Sequence, residues 1–250
     1  MSRLGDVIRA PRLRCDFPWT LAIVGLAVVA TAGAFGSPRI ADALRADGRI
    51  ADGQLWRVVT GPLVHATWGH LVRDLALVAL AGVAYEAPLR ALRVPLFVAG
   101  LVVPAVAVLA AGDARWYCGV SGLSHALLAA ALSYEVTRRR GAARALVLGL
   151  CAVAALKPLY ELATGTPAFV MSLGDGVTQV PLAHVVGVLI GIACGLRAAR
   201  GCDTRNVARA TFATHRITGT LPGRIPSPVA QSPYTAAQVG DTLATLPTMQ

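Results

Sequence analysis

The chain has 250 residues, 55% of them hydrophobic and 14% charged, with a formal net charge of +10 and a mean hydropathy of +0.60. A soluble domain carries roughly 25% charged residues, so this composition excludes an ordinary water-soluble globule. The excess of basic residues requires no nucleic-acid partner, because positive cytoplasmic segments facing anionic lipid account for it.

Residues 1–17 form a short basic arm containing Arg3, Arg9, Arg12 and Arg14. The first apolar block, Pro18–Phe35, ends in small residues (Ala30-Thr31-Ala32-Gly33) and shares this layout with a cleavable signal peptide. Its length and the five apolar blocks that follow favour an uncleaved first helix. Gly36–Trp56 is too polar to span and mixes Arg with Asp, which predicts an outer loop with a short interfacial helix over Ile40–Arg49. Further spans are predicted at Leu63–Tyr85, Val94–Ala111, Ser121–Val136, Ala142–Leu162 and Pro181–Leu196. These runs are continuously apolar, rich in Ala, Leu and Gly, and lack the period-2 alternation of barrel strands, so helices are expected. Several fall short of the roughly 20 residues of a free-standing span, which implies tilted or short helices. The expected fold is an all-α membrane protein with six transmembrane helices in residues 18–200. After Arg200 the composition turns to Thr, Ala, Pro and Ser, and 201–250 reads as a flexible cytoplasmic tail.

Arg3, Arg9, Arg12, Arg14, Arg90, Arg93, Arg138, Arg139, Arg140, Arg144, Arg197 and Arg200 fall on one side if the N-terminus is inside. The opposite loops intersperse Arg39, Arg45, Arg49, Arg57 and Arg115 with Asp42, Asp47, Asp52 and Asp113. The asymmetry predicts cytoplasmic termini and, in a bacterial cell, residence in the inner membrane. Cys15, Cys118, Cys151, Cys194 and Cys202 have no metal-like spacing, and no disulfide framework is expected.

Two polar residues open apolar helices: Ser121 in Gly119-Val120-Ser121-Gly122, and His184 in Ala183-His184-Val185-Val186-Gly187. Serine is a weak nucleophile until a neighbouring base takes its proton. Ser121 stands about 17 residues, or about 26 Å, from Arg138, and His184 about 13 residues, or about 20 Å, from Arg197. In a hydrocarbon layer about 30 Å thick, both fall in the outer half, on helices that run in the same direction. The N–H groups at the start of the fourth span could stabilise an oxyanion. Gly119 and Gly122 suit a tight turn and a close backbone approach. Either residue alone is accounted for by helix packing; the pair at matched depth points to a nucleophile and its base.

These residues resemble the rhomboid family of intramembrane serine proteases across the six-span core. Trp56-Arg57-Val58-Val59-Thr60, His65 and His70-Leu71-Val72-Arg73-Asp74 resemble the family's W-R-x-x-T and H-x-x-x-x-H-x-x-x-N block. Gly119–Gly122 resembles its nucleophile motif, and His184 with Gly187 and Gly191 its H-x-x-G-x-x-x-G. Ser121-Gly122-Leu123-Ser124-His125 and the segment Leu156-Lys157-Pro158-Leu159-Tyr160-Glu161 look most like the rhombosortase branch. The resemblance implies a rhomboid-like bundle and a Ser121–His184 dyad with no third catalytic carboxylate, no metal and no cofactor. It also implies membrane-anchored protein substrates with a single transmembrane helix, cut near the outer end of that helix. C-terminal sorting tails of surface proteins are one such class.

His70 corresponds to the family's oxyanion histidine, whereas His65 is read as a structural hydrogen bonder. Asp74 replaces the usual asparagine: an ionised carboxylate would repel an oxyanion that an amide would bind, a carboxyl protonated by burial could still help, and a pairing with Arg73 or a histidine is the other reading. His125 lies one turn after Ser121 and is placed to stack on or orient His184. Lys157 and Glu161 form an i, i+4 pair that serves either substrate recognition or as a self-neutralising structural pair. Two rival readings remain. One is a proteolytically inactive rhomboid-like protein that binds transmembrane helices, which the presence of both Ser121 and His184 argues against and Asp74 keeps open. The other is a small transporter, which the nearly bare inner half disfavours.

Overall fold

The computed structural model describes residues 17–112, 115–168 and 180–218, with side chains as far as Gly201. It divides into compact units at 1–205 and 206–250. In the first unit, α1 (Pro18–Gly36) is followed by the short α2 (Pro38–Leu44), strand β1 (Ala46–Asp47) and a 3-10 turn (Gly48–Ile50). Next come α3 (Arg57–Leu63), α4 (Trp68–Tyr85), α5 (Arg93–Ala111), β2 (Trp116–Tyr117), α6 (Ser121–Arg138), α7 (Gly141–Thr164) and α8 (Pro181–Thr218). The tail expected from residue 201 is thus helical backbone as far as Thr218, and the rest of it lies outside the described residues.

Among the described residues, four helices are long and apolar enough to cross a membrane: α1, α5, α7 and the Pro181–Gly201 part of α8. The expected spans on α4 and α6 do not meet that standard, and the reason is chemical. α4 carries His70, Arg73 and Asp74, and α6 carries Ser121, His125 and Glu135. His70 and Asp74 are buried and Ser121, His125 and Glu135 half-buried, whereas Arg73 is exposed. α6 is the central helix, buried along most of its length from Gly122 to Tyr134. α7 is its opposite, burying only Pro158 and Glu161 among its 24 residues. Outward-facing Val29, Leu80, Leu146 and Val153 form an apolar belt that water would not tolerate.

The span predicted from Leu63 begins later. Leu63 closes α3, and the chain turns through Val64–Thr67 before Thr67 caps α4 by accepting the His70 N–H at 3.1 Å. The interfacial helix predicted over Ile40–Arg49 is shorter, ending at Leu44. The chain then pairs as β1 with β2, Ala46 opposite Tyr117 and Asp47 opposite Trp116.

Helices in lipid gain little from apolar burial alone and associate through close packing. Gly187, Gly191 and Gly195 give α8 a side-chain-free seam: a Cβ at each would strike, in turn, the carbonyls of Gly122, Ala126 and Ala130 on α6. Leu96, Phe97, Leu123 and Leu127 fill the space between α5 and α6, joined by Val78 of α4 and Ala27 of α1. The α1 N-terminus is capped from a distance. Buried Glu86, at the end of α4, accepts the Trp19 N–H (3.0 Å), the Thr20 N–H (2.8 Å) and the Thr20 hydroxyl (2.7 Å). A carboxylate at a helix N-terminus satisfies orphan donors and complements the helix dipole.

Candidate active site

The approach to Ser121 is held by backbone. β2 fastens Tyr117 to Ala46, and the Gly119 N–H donates to the Val64 carbonyl at 2.8 Å. Gly119 has φ +94°, and a Cβ there would lie 2.7 Å from His70 Nε2 and 3.1 Å from Asp74 Oδ2. Only glycine meets both demands. Ser121 then starts α6, half-buried. Its carbonyl accepts from Ser124 Oγ and from His125 Nδ1, both at 2.8 Å. Because a carbonyl can only accept, the proton of His125 is on Nδ1. Ser124 is thereby a backbone capper. The buried Tyr117 phenol has its pKa raised by burial, offset in part by a hydrogen bond with the Ser121 side chain. Cys118, beside it, is pushed up to about 12 by burial and is an unreactive thiol.

Asp74 sits between two imidazoles, its Oδ2 3.4 Å from His65 Nε2 and 3.3 Å from His70 Nε2. The rings of His65 and His70 meet edge to face, 5.0 Å between centroids. His65 is structural in its other contacts: Nδ1 lies 3.2 Å from Thr31 Oγ1, whose hydroxyl also receives the His65 N–H, and the Val120 N–H points at Nε2 from 3.4 Å. His70 Nδ1 is buried with no partner.

His184 occupies the first turn of α8. Its ring stacks on His125, with 4.1 Å between centroids and 10° between planes. Its Nδ1 faces Glu161 Oε2 at 3.6 Å. Glu161 Oε1 accepts from Lys157 Nζ at 2.8 Å and from the Ala168 N–H at 2.9 Å. Ala183 reaches α6 directly, its carbonyl 3.4 Å from where a Cβ on Gly122 would stand. The residues singled out in the sequence therefore gather around the first turn of α6. His65, His70, Asp74 and Gly119 lie on one flank; His125, His184, Lys157 and Glu161 lie on the other.

Residues 42–45 are held by a motif whose mechanics the sequence did not disclose. Trp56 Nε1 donates to Ala43 O (3.2 Å), Arg57 Nη1 to Asp42 O (2.5 Å) and Arg45 O (2.9 Å), and Thr60 Oγ1 to Leu44 O (2.8 Å). Three side chains thus take four consecutive carbonyls that α2 leaves unpaired at its C-terminus. Outside this clamp, Arg49 bridges Asp42 (2.8 Å) and Asp47 (2.6 Å), and its hydrogen bonds hold both carboxyls below their usual range. Tyr117 and Thr31 were also missed. A lone hydroxyl inside an apolar first span was the available signal for Thr31; no local pattern marks Tyr117.

Among the described residues, no group of three or more His, Cys, Asp or Glu side chains is arranged to hold a metal ion. No curated protein matches the chain. The family model described as "Rhomboid domain" matches residues 52–201.

Proposed function

Given that this chain belongs to the rhomboid family of intramembrane serine proteases, we propose that it is an active member using a Ser121–His184 dyad. The apolar helices and the family make it an integral membrane protein. In the proposed reaction, Ser121 Oγ attacks the scissile carbonyl and His184 takes its proton. The tetrahedral intermediate collapses as the C–N bond breaks and His184 returns the proton to the leaving amine. Water then hydrolyses the acyl ester by the same route in reverse. The first N–H groups of α6 stabilise the oxyanion. His70 Nδ1, buried without a partner, is the side-chain group offered to that oxygen.

One contact carries the reading. His125 joins the two motifs, resting its ring on His184 while its Nδ1–H holds the Ser121 carbonyl. We further propose six membrane crossings including α4 and α6, cytoplasmic termini and a site opening to the outer face of a bacterial inner membrane. Substrates are single-span proteins cut near the outer end of the span. The Ser121-Gly122-Leu123-Ser124-His125 and Lys157–Glu161 motifs favour C-terminal sorting tails of the rhombosortase type.

A fluorophosphonate probe tests the dyad. Wild type labels, and Ser121→Ala and His184→Ala do not; equal labelling of wild type and Ser121→Ala overturns the reading. Mass spectrometry of membrane-protein C-termini, with and without the protein, tests the substrate class.

A further inference from the structure

Two buried polar atoms without any hydrogen-bond partner face each other: Nδ1 of His184 and Oε2 of Glu161. They stand 3.6 Å apart, just beyond hydrogen-bonding distance. The carboxylate is anchored by its far oxygen to Lys157 and to the Ala168 N–H, and Glu161 is 1% exposed. Its free oxygen therefore has a fixed direction, and that direction is the imidazole. Buried polar atoms left unsatisfied are costly, and an approach of roughly half an ångström pairs these two. Hydrogen bonds around catalytic bases are often long in free enzymes and shorten with substrate in place.

We propose that Glu161 is a positioning residue that accepts the Nδ1–H of His184, holding the tautomer whose bare Nε2 is available to Ser121. The proposal rests on the dyad reading and extends it, since the resemblance implied a dyad with no third carboxylate. The second member of the α7 pair fits this role. Lys157 balances the charge of Glu161, so that the buried carboxylate is not an isolated anion when His184 is neutral. When His184 gains the serine proton, Glu161 faces an imidazolium whose charge it stabilises. His125 cannot substitute, because it meets His184 face to face, and a stacked ring does not direct its in-plane nitrogens at the Nδ1–H.

Glu161→Gln separates this role from a structural one. The amide oxygen still accepts from Lys157 and Ala168, but the NH2 group donates toward His184 Nδ1 and favours the tautomer protonated at Nε2. In detergent-solubilised full-length protein, the rate of fluorophosphonate labelling is measured against probe concentration. The expected result is a fall of about a hundredfold in the maximal rate with an unchanged half-saturating concentration. Glu161→Asp recovers part of the loss, and thermal midpoints stay near wild type. Unchanged rates in Glu161→Gln, in a protein that Ser121→Ala silences, overturn the Glu161 role and leave the dyad standing. Labelling that survives Ser121→Ala removes both. Should Glu161→Gln fail to fold, the 15N spectrum of histidine-labelled wild type decides, with the His184 signal assigned by its loss in His184→Asn. A hydrogen on Nδ1 is expected; a hydrogen on Nε2 overturns the proposal.

Discussion

His125 and His184 lie face to face, one imidazole covering the other across the α6–α8 contact. A stack of this kind is worth about 0.5–1.5 kcal/mol beyond its buried area. His125→Ala is therefore expected to slow probe labelling by about two- to twelvefold. His125→Phe keeps a ring but loses the bond to the Ser121 carbonyl, and should retain more of the rate than alanine does. Equal rates for the two variants would mean that the ring itself contributes nothing.

The glycine seam predicts a different failure. Gly191→Leu drives a side chain into the Ala126 carbonyl and the Ala129 Cβ, and overpacking of this kind costs about 1–3 kcal/mol. The thermal midpoint should drop and labelling should vanish, because α6 and α8 separate at the level that brings the two motifs together. Leu189, which faces outward, is the control position: Leu189→Phe should leave both properties near wild type.

Glu86 predicts a stability effect remote from the chemistry. Glu86→Ala removes three hydrogen bonds at the start of α1 and should cost about 3 kcal/mol. Glu86→Gln can still accept and should cost less. Unfolding in graded denaturant-detergent mixtures gives the ranking, with wild type above Gln and Gln above Ala.

The segment between α1 and α3 carries a pH dependence with a definite sign. Arg49 lowers the folded-state pKa of Asp42 and Asp47 below the ordinary 3.8. Their contribution to stability is present above that value and is lost as pH falls through the lowered folded values. The thermal midpoint of wild type should exceed that of an Asp42→Asn/Asp47→Asn variant by a constant margin from about pH 7 to pH 5. The two curves should converge below about pH 4. A margin that persists undiminished to pH 2 would sink the assignment.

The helices with unbroken apolar runs, α1, α5 and α7, were legible to within a residue or two at either end because lipid imposes the pattern directly. So were the serine and histidine at the starts of α6 and α8, which stand out as polar residues in apolar runs. What escaped was long-range satisfaction of polar groups. Nothing in the sequence near Trp19 and Thr20 announces that their N–H groups are met by a carboxylate more than sixty residues away. The separate helix α3 was not anticipated, and the second span was started at Leu63, the last residue of α3. It ends there because Val64 turns extended and Thr67 supplies a new cap. Asp74 was legible as a departure but not as the carboxylate lying between His65 and His70, since that requires the turn of α4 and the position of the Val64–Ala66 strip together. Lys157 and Glu161 read either as a substrate-recognising pair or as a self-neutralising one, and the neighbour that neither reading supplied, His184, lies on another helix.

The seam of Gly187, Gly191 and Gly195 has a mechanical consequence for life in a bilayer. Backbone seated directly on backbone admits no intermediate setting: the next alignment lies one helical turn, about 5.4 Å, away. A change in hydrocarbon thickness therefore cannot be absorbed by sliding α8 along α6. The two must lean as one body, so thinner or thicker lipid should alter how a substrate is presented while leaving the histidine and serine level with each other.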